Sequence, residues 1–189
     1  KGILSKKTLL SYGENNSLLM SHASHHVPGI KFSTGSLGHG LPVAIGSALS
    51  AKKDKNNRKV YVLISDGELN EGTTWESLMF AAHHKLNNLC VIIDYNKLQS
   101  LTFVSETIKI EPLIKKISSF GCEVKNINGH NILQLKKALK LNNKSKPKVI
   151  IANTIKGKGV SFMENNIAWH YKSPNARELK KALKEVDNA

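Results

Sequence analysis

The sequence predicts an α/β fold in which a parallel sheet carries helices on both of its faces. Three short runs of branched apolar residues alternate with segments of helical spacing, and each run is nearly continuous. Continuous apolar runs of this length are typical of parallel strands that are covered on both sides. A chain of 189 residues is long enough for one sizeable core, so we expect a single domain over residues 1–189.

The predicted elements alternate along the chain. The strands are expected at residues 60–64, 90–93 and 149–152. Apolar residues three and four apart predict helices at residues 41–53, 73–86, 112–120, 132–141 and 176–186. Thr73 and Glu76 have the spacing of a capping box, and Pro112 suits the first turn of the third helix. Right-handed crossovers between these strands would make the sheet parallel.

Composition and charge argue against several classes of protein. The net charge is +14, but the lysines are dispersed and arginine occurs only at Arg58 and Arg177. Dispersed charge favours solvated faces over a nucleic-acid-binding surface. No run reaches the roughly 18 apolar residues of a membrane-spanning helix. Cys90 and Cys122 fit buried thiols rather than disulfides or zinc ligands. We therefore expect a cytoplasmic protein that binds neither nucleic acid nor membranes.

Polar residues follow two of the predicted strands. Asp66 and Gly67 come directly after the first strand, and Asn96 follows the second, thirty positions after Asp66. The carboxyl ends of parallel strands lie at one edge of a sheet, where ligands bind. Mg²⁺ takes oxygen ligands, which the Asp66 carboxylate, the Asn96 amide and the Leu98 backbone carbonyl would supply. Gly67 would let the backbone approach a bulky anion, although a simple turn at Asp66–Gly67 is the alternative.

Further blocks of sequence accompany these strand ends in a fixed order. They read STGSLGHGLPVAIGSALSAK, SDGELNEGTTWESLMFAAHHKLNNL, DYNKLQ and NTIKGKGVSFMENNIAWH. The second and third together resemble the diphosphate-binding signature of thiamine-diphosphate enzymes, Gly-Asp-Gly followed about thirty residues later by Asn. The whole set looks like the N-terminal section of transketolase, and most of all its split form, in which two genes encode the halves. The resemblance runs from about Ser11 to the C-terminus.

The resemblance implies a thiamine-diphosphate-binding fold of the diphosphate-binding (PP) type, with thiamine diphosphate and Mg²⁺, or Ca²⁺ or Mn²⁺, as cofactors. The matching cofactor-binding positions are Gly35, Leu37, Asp66, Gly67, Asn96 and Ile155, and the implied metal ligands are Asp66, Asn96 and Leu98. His22 would face the sugar donor, and His170 would lie near the diphosphate and the reacting centre. Glu71 and Glu76 would lie at a subunit interface, where proton sharing between two active sites has been proposed for the family.

The resemblance also implies an activity and a partner. The enzyme would be a transferase that moves a two-carbon ketol unit from a ketose phosphate to an aldose phosphate, as in the pentose phosphate pathway. It would need a separate pyrimidine-binding chain, in a dimer or heterotetramer, because that half carries the glutamate that activates the cofactor. Two alternatives stay open: another thiamine-diphosphate enzyme, such as a deoxyxylulose-phosphate synthase or a decarboxylase, and a non-catalytic relic that serves in assembly.

Two departures from the family pattern bear on these expectations. Ser65 occupies the place of the first glycine of Gly-Asp-Gly. We expect this position to tolerate the bound diphosphate less well than glycine does, without loss of the site. The family's N-terminal Gly-His-Pro and Lys-Gly-His blocks do not occur, so the domain is expected to lack the family's N-terminal segment. Without the resemblance, His22 and its histidine neighbours would be interpreted as structural. Glu71 and Glu76 would then be acids that stabilise a helix N-terminus.

Overall fold

A four-stranded parallel sheet lies at the centre of the computed structural model, which describes residues 2–188. The strands are β1 (Val60–Ser65), β2 (Leu89–Tyr95), β3 (Glu123–Asn128) and β4 (Lys148–Asn153). Their order in the sheet is β1-β2-β4-β3, and every neighbouring pair is parallel. The predicted parallel sheet is confirmed, with one strand more than the sequence predicts.

Helices connect the strands, and all five predicted helices are present. The helices are α1 (Lys6–Leu10), α2 (Gly40–Lys53), α3 (Gly72–His83), α4 (Val104–Thr107), α5 (Leu113–Ser119), α6 (Ile132–Ala138) and α7 (Ala176–Asp187). Two short 3₁₀ helices span Gly67–Asn70 and Ile167–His170. Among residues 2–188, no helix combines the length and the apolar character that crossing a membrane requires.

The two faces of the sheet are covered unequally. Helices α2, α3 and α5 pack on one face, where the main core includes Leu41, Leu78, Val91, Ile117 and Val149. Helix α6 packs on the other face, over the smaller cluster of Cys90, Ala138 and Ile150. On the β1 side of that second face, Tyr61 is 47% exposed and Leu63 is 69% exposed. Helices on both faces are therefore confirmed, but part of the second face is open.

Local details differ from the prediction at three places. The sequence of β3 is polar at Lys125, Asn126 and Asn128, because β3 is an edge strand and is only partly buried. The predicted capping box at the start of α3 is wrong, since the helix begins at Gly72 and its cap residue, Glu71, makes no side-chain cap bond. Pro112 precedes α5 as its cap residue and lies outside the first turn.

Candidate functional site

The predicted metal ligands lie together at the carboxyl ends of β1 and β2. Asp66 is 1% exposed, and its Oδ2 accepts a hydrogen bond from the backbone N–H of Lys97 at 2.6 Å. Lys97 has a φ of +67°, which turns the chain back after β2. The Oδ1 of Asn96 accepts a hydrogen bond from the Leu98 N–H at 2.9 Å. The carboxylate therefore faces the loop that carries Asn96 and Leu98, and their role as metal ligands stays a prediction.

The electrostatic state of Asp66 suits a cation. The pKa of Asp66 is raised to about 6, chiefly by burial and also by the charge of Asp94, while the hydrogen bond from the Lys97 N–H acts in the opposite direction. Asp94 itself accepts a hydrogen bond from the Thr154 hydroxyl. A buried carboxylate is costly to ionise without a counter-ion, and a divalent cation at its oxygens would offset that cost.

Next to Gly67 there is a buried donor that the sequence analysis missed. A methyl group placed on Gly67 would lie 3.6 Å from the Ser65 hydroxyl and 3.8 Å from the Gln99 side chain. The side-chain nitrogen of Gln99 is buried and has no hydrogen-bond partner among the described residues. An unpaired buried donor costs about 1–3 kcal/mol, and an anionic oxygen beside Gly67 would satisfy it. Its signal in the sequence is its position three residues after Asn96, in the same loop.

The glycine-rich loop before α2 brings two predicted site residues into contact. A methyl group on Gly35 would lie 2.6 Å from the imidazole of His22, so the ring occupies the space that a side chain would fill. Leu37, on the same loop, is 50% exposed. His22 is also exposed, which leaves its ring free to meet a ligand. The cofactor and sugar roles of these residues stay predictions.

A reciprocal pair of hydrogen bonds with the Ser-x-x-Glu spacing of a capping box forms at the end of β1. The Glu68 N–H donates to the Ser65 hydroxyl at 3.3 Å, and Glu68 Oε2 accepts from the Ser65 N–H at 3.0 Å. The other carboxylate oxygen, Oε1, accepts a hydrogen bond from the Gly38 N–H at 3.2 Å. Glu68 therefore joins β1 to the glycine-rich loop. The signal that could have found it is the Ser-x-x-Glu spacing within SDGE.

Ile155 and His170 lie in the segment after β4. The N–H of Ile155 donates to Nε2 of His130 at 2.8 Å, which fixes the start of this segment against the turn before α6. His170 is exposed, yet partial burial of its ring lowers its pKa, and the charge of Lys156 lowers that pKa further. Lys156 follows Ile155 directly, so the two predicted residues share one local environment.

Glu71 and Glu76 lie at the start of α3. Glu71 precedes the helix, and Glu76 is exposed on its first turns. Glu76 also lines a groove of about 440 Å³ between α2 and α3, together with Ile45, Leu49 and Phe80. An apolar groove with an exposed carboxylate at its side is compatible with an interface, and that role stays a prediction.

Comparison with known proteins places the chain in a family. The family described as "Transketolase, thiamine diphosphate binding domain" matches residues 4–186, nearly the whole chain. The chain belongs to the transketolase family. It corresponds to the thiamine-diphosphate-binding, N-terminal section of transketolase, as the sequence predicts.

The transketolase relatives include components of split enzymes. The chain is 44% identical, over 98% of its length and 68% of the relative, to one subunit of the apulose-4-phosphate transketolase from Actinobacillus succinogenes. It is 36% identical to a 6-deoxy-6-sulfo-D-fructose transketolase subunit from a Clostridium species, over 99% of this chain and 69% of that protein. The human transketolase matches at 34% identity, with 30% of its length covered.

A solved transketolase shows the same fold. The crystal structure of transketolase from Campylobacter jejuni superimposes with a TM-score of 0.92 at 31% identity, covering 97% of this chain and 30% of that one. The α/β fold of the thiamine-diphosphate-binding domain is therefore shown by the sheet topology and by this likeness.

Proposed function

We propose that the chain is the diphosphate-binding subunit of a two-chain transketolase. With a separate pyrimidine-binding chain, it would transfer a two-carbon ketol unit from a ketose phosphate to an aldose phosphate. The observation that carries this proposal is the buried Asp66 carboxylate held against the loop of Asn96 and Leu98, at the ends of two adjacent strands. The split-enzyme relatives support the two-chain arrangement.

The residues at the strand ends fit thiamine diphosphate and a divalent cation. Asp66, Asn96 and the Leu98 carbonyl would hold Mg²⁺, with Ca²⁺ or Mn²⁺ as substitutes. Gly67 and the unpaired amide nitrogen of Gln99 would face the diphosphate, because Gly67 follows Asp66 directly, the Gln99 side chain lies beside Gly67, and the amide still needs an acceptor. The remaining contacts would come from Gly35, Leu37 and Ile155. When bound, thiamine diphosphate supplies an electron sink for cleavage of the bond next to the ketose carbonyl.

The two predicted catalytic histidines would act on the sugar. His22 is exposed, and its ring packs against the backbone of Gly35. The ring can therefore hold a hydroxyl of the sugar donor in a fixed orientation. Because the pKa of His170 is lowered, its imidazole is neutral at pH 7 and able to accept a proton from a substrate hydroxyl. Lys156 beside it adds positive charge, which favours an anionic ligand at this place.

The partner subunit would bind near α3. Glu71 and Glu76 would lie at that interface, and the apolar groove between α2 and α3 gives the partner a surface to bury. We also propose that the assembly is a dimer or heterotetramer and that it acts in carbohydrate metabolism, as in the pentose phosphate pathway. We propose a cytoplasmic location as well, and two free, buried cysteines are compatible with it.

Calorimetry tests the proposed function. The chain is mixed with a cognate pyrimidine-binding chain and titrated with thiamine diphosphate, with and without Mg²⁺, and ketol transfer is then assayed with a panel of ketose and aldose phosphates. We expect Mg²⁺-dependent binding and turnover of at least one pair. Failure of the assembled pair to bind the cofactor would support the non-catalytic assembly role instead.

A further inference from the structure

One carboxylate joins the two segments that the proposed function places around the cofactor. We propose that Glu68 is a positioning residue, which holds the glycine-rich loop of residues 35–38 at a fixed distance from the end of β1. The inference rests on the proposed function, because that function places the cofactor between Asp66 and this loop. Its geometry, however, can be measured in the chain without any ligand.

The hydrogen bonds of Glu68 to Ser65 and to Gly38 together form what we call the clamp. Its first half is the pair of hydrogen bonds between Glu68 and Ser65. The Glu68 N–H donates to the Ser65 hydroxyl at 3.3 Å, and Glu68 Oε2 accepts from the Ser65 N–H at 3.0 Å. This reciprocal pair fixes the first turn after β1, in which Asp66 and Gly67 lie. The side chain of Glu68 is half-buried, and it is therefore held in one orientation rather than extended into solvent.

The second half of the clamp is the backbone of Gly38. Its N–H donates to Glu68 Oε1 at 3.2 Å, and its carbonyl accepts from the Thr73 hydroxyl at 2.9 Å. Gly38 has a φ of +76°, and a methyl group there would lie 2.4 Å from the Thr73 hydroxyl. Both polar groups of one glycine are therefore held by side chains that follow β1, which fixes the path of the loop.

The clamp lies at the wall of a ligand-sized groove. The groove has a volume of about 470 Å³ and is lined by Gly35, Ser36, Leu37 and Glu68 on one side and by the open part of β1 on the other. Leu37 directly precedes Gly38, and Asp66 comes two residues before Glu68. A shift of the clamp would change the distance between the predicted metal site and the predicted cofactor contact at Leu37.

Ser65 gains a role from the same contacts. The family pattern has glycine at this position, and glycine has no side chain to accept the Glu68 N–H. Here the hydroxyl accepts it, so the serine at this position is coupled to Glu68. The departure from Gly-Asp-Gly that is expected to weaken the site is thereby tied to a contact that orders it.

Hydrogen exchange and cofactor titration test the clamp together. The variants are Glu68→Ala, Glu68→Gln and Ser65→Gly. The matched control is Glu106→Gln, an exposed glutamate whose side chain accepts a hydrogen bond from the Thr102 hydroxyl. In the free chain, we expect the Gly38 and Ser65 amides to exchange faster in Glu68→Ala. In the assembled enzyme, we expect the affinity for thiamine diphosphate with Mg²⁺ to fall about tenfold, because two charge-assisted hydrogen bonds are lost.

The graded variants separate positioning from simple stability. Glu68→Gln keeps an acceptor for one of the two amides, so we expect it to recover part of the affinity, with a melting temperature close to that of Glu106→Gln. Unchanged exchange at Gly38 in Glu68→Ala would overturn the clamp. Faster exchange with unchanged cofactor affinity would overturn its positioning role. If the native enzyme bound no cofactor, the proposed function would fail, and the exchange data would still decide the clamp.

Discussion

The carboxylate of Asp66 accepts a hydrogen bond from the backbone N–H of Lys97 at 2.6 Å, although the two residues are 31 positions apart in the chain. This contact joins the ends of β1 and β2, and it places the buried acid against the loop of Asn96 and Leu98. The parallel register of the two strands makes the contact possible, since Ser65 pairs with Asp94 at the same level of the sheet. The proposed cofactor site depends on that alignment.

Gly35→Ala should impair sugar turnover more than cofactor binding. The added methyl group would lie 2.6 Å from the His22 ring, so the imidazole must move. Removal of a well-oriented donor lowers rates by about 10²–10³, so we expect kcat to fall at least tenfold. The affinity for thiamine diphosphate should fall by a smaller factor, because Gly35 is itself a predicted cofactor contact. Gly72→Ala is the control, because a methyl group there meets nothing within 4 Å. A normal kcat in Gly35→Ala would remove the role assigned to His22.

Gln99→Leu should stabilise the free chain or leave it unchanged while it weakens cofactor binding. The side-chain nitrogen of Gln99 is buried without a partner among the described residues, so an apolar side chain of similar size removes a cost of about 1–3 kcal/mol. The free energy of unfolding and the affinity for thiamine diphosphate are the two measurements. Reduced stability with normal affinity would show that this amide has a structural partner and no contact with the diphosphate.

His170 should lose its proton at a lower pH than an ordinary histidine. Burial lowers its pKa below 6.5, and Lys156 contributes to the shift, so the NMR titration midpoint should lie below 6.5 and rise in part in Lys156→Met. Lys158→Met is the control, because Lys158 pairs with Glu164. The folded imidazole binds its proton less tightly than the unfolded one, so this group reduces stability as the pH falls below 6.5. A midpoint at or above 6.5 would contradict the lowered pKa of His170.

Much of the fold follows from local sequence. The runs of β2 and β4 are continuous and apolar because both faces of these strands are covered, so their pattern is visible in the sequence. The run of β1 is equally apolar, although Tyr61 and Leu63 are exposed on one face. The strand β3 has exposed polar residues at Lys125 and Asn126, and its position is fixed by pairing with β4, a long-range contact that no local pattern reports.

The site is predicted less completely than the fold. Asp66 and Asn96 can be found because they directly follow apolar runs and match a family signature. The hydrogen-bond partners of Glu68 cannot be found in this way. The Gly38 N–H lies thirty residues earlier in the chain, and it reaches the Glu68 carboxylate only because the loop folds back over β1. The Ser-x-x-Glu spacing is present in the sequence, but the same spacing from Thr73 to Glu76 competes with it, and only the structure distinguishes the two.

The most direct test of the central claim compares cofactor binding by the native chain and Asp66→Asn. Asparagine keeps the shape of the side chain and an acceptor for the Lys97 N–H, but it removes the buried charge at the predicted metal site. Titration of the assembled enzyme with thiamine diphosphate and Mg²⁺ should show tight binding for the native chain and for Asp54→Asn, an exposed control. We predict that Asp66→Asn loses Mg²⁺-dependent binding by at least a hundredfold, while the free chain stays folded. Equal affinity in Asp66→Asn and the native chain would contradict the proposed metal site.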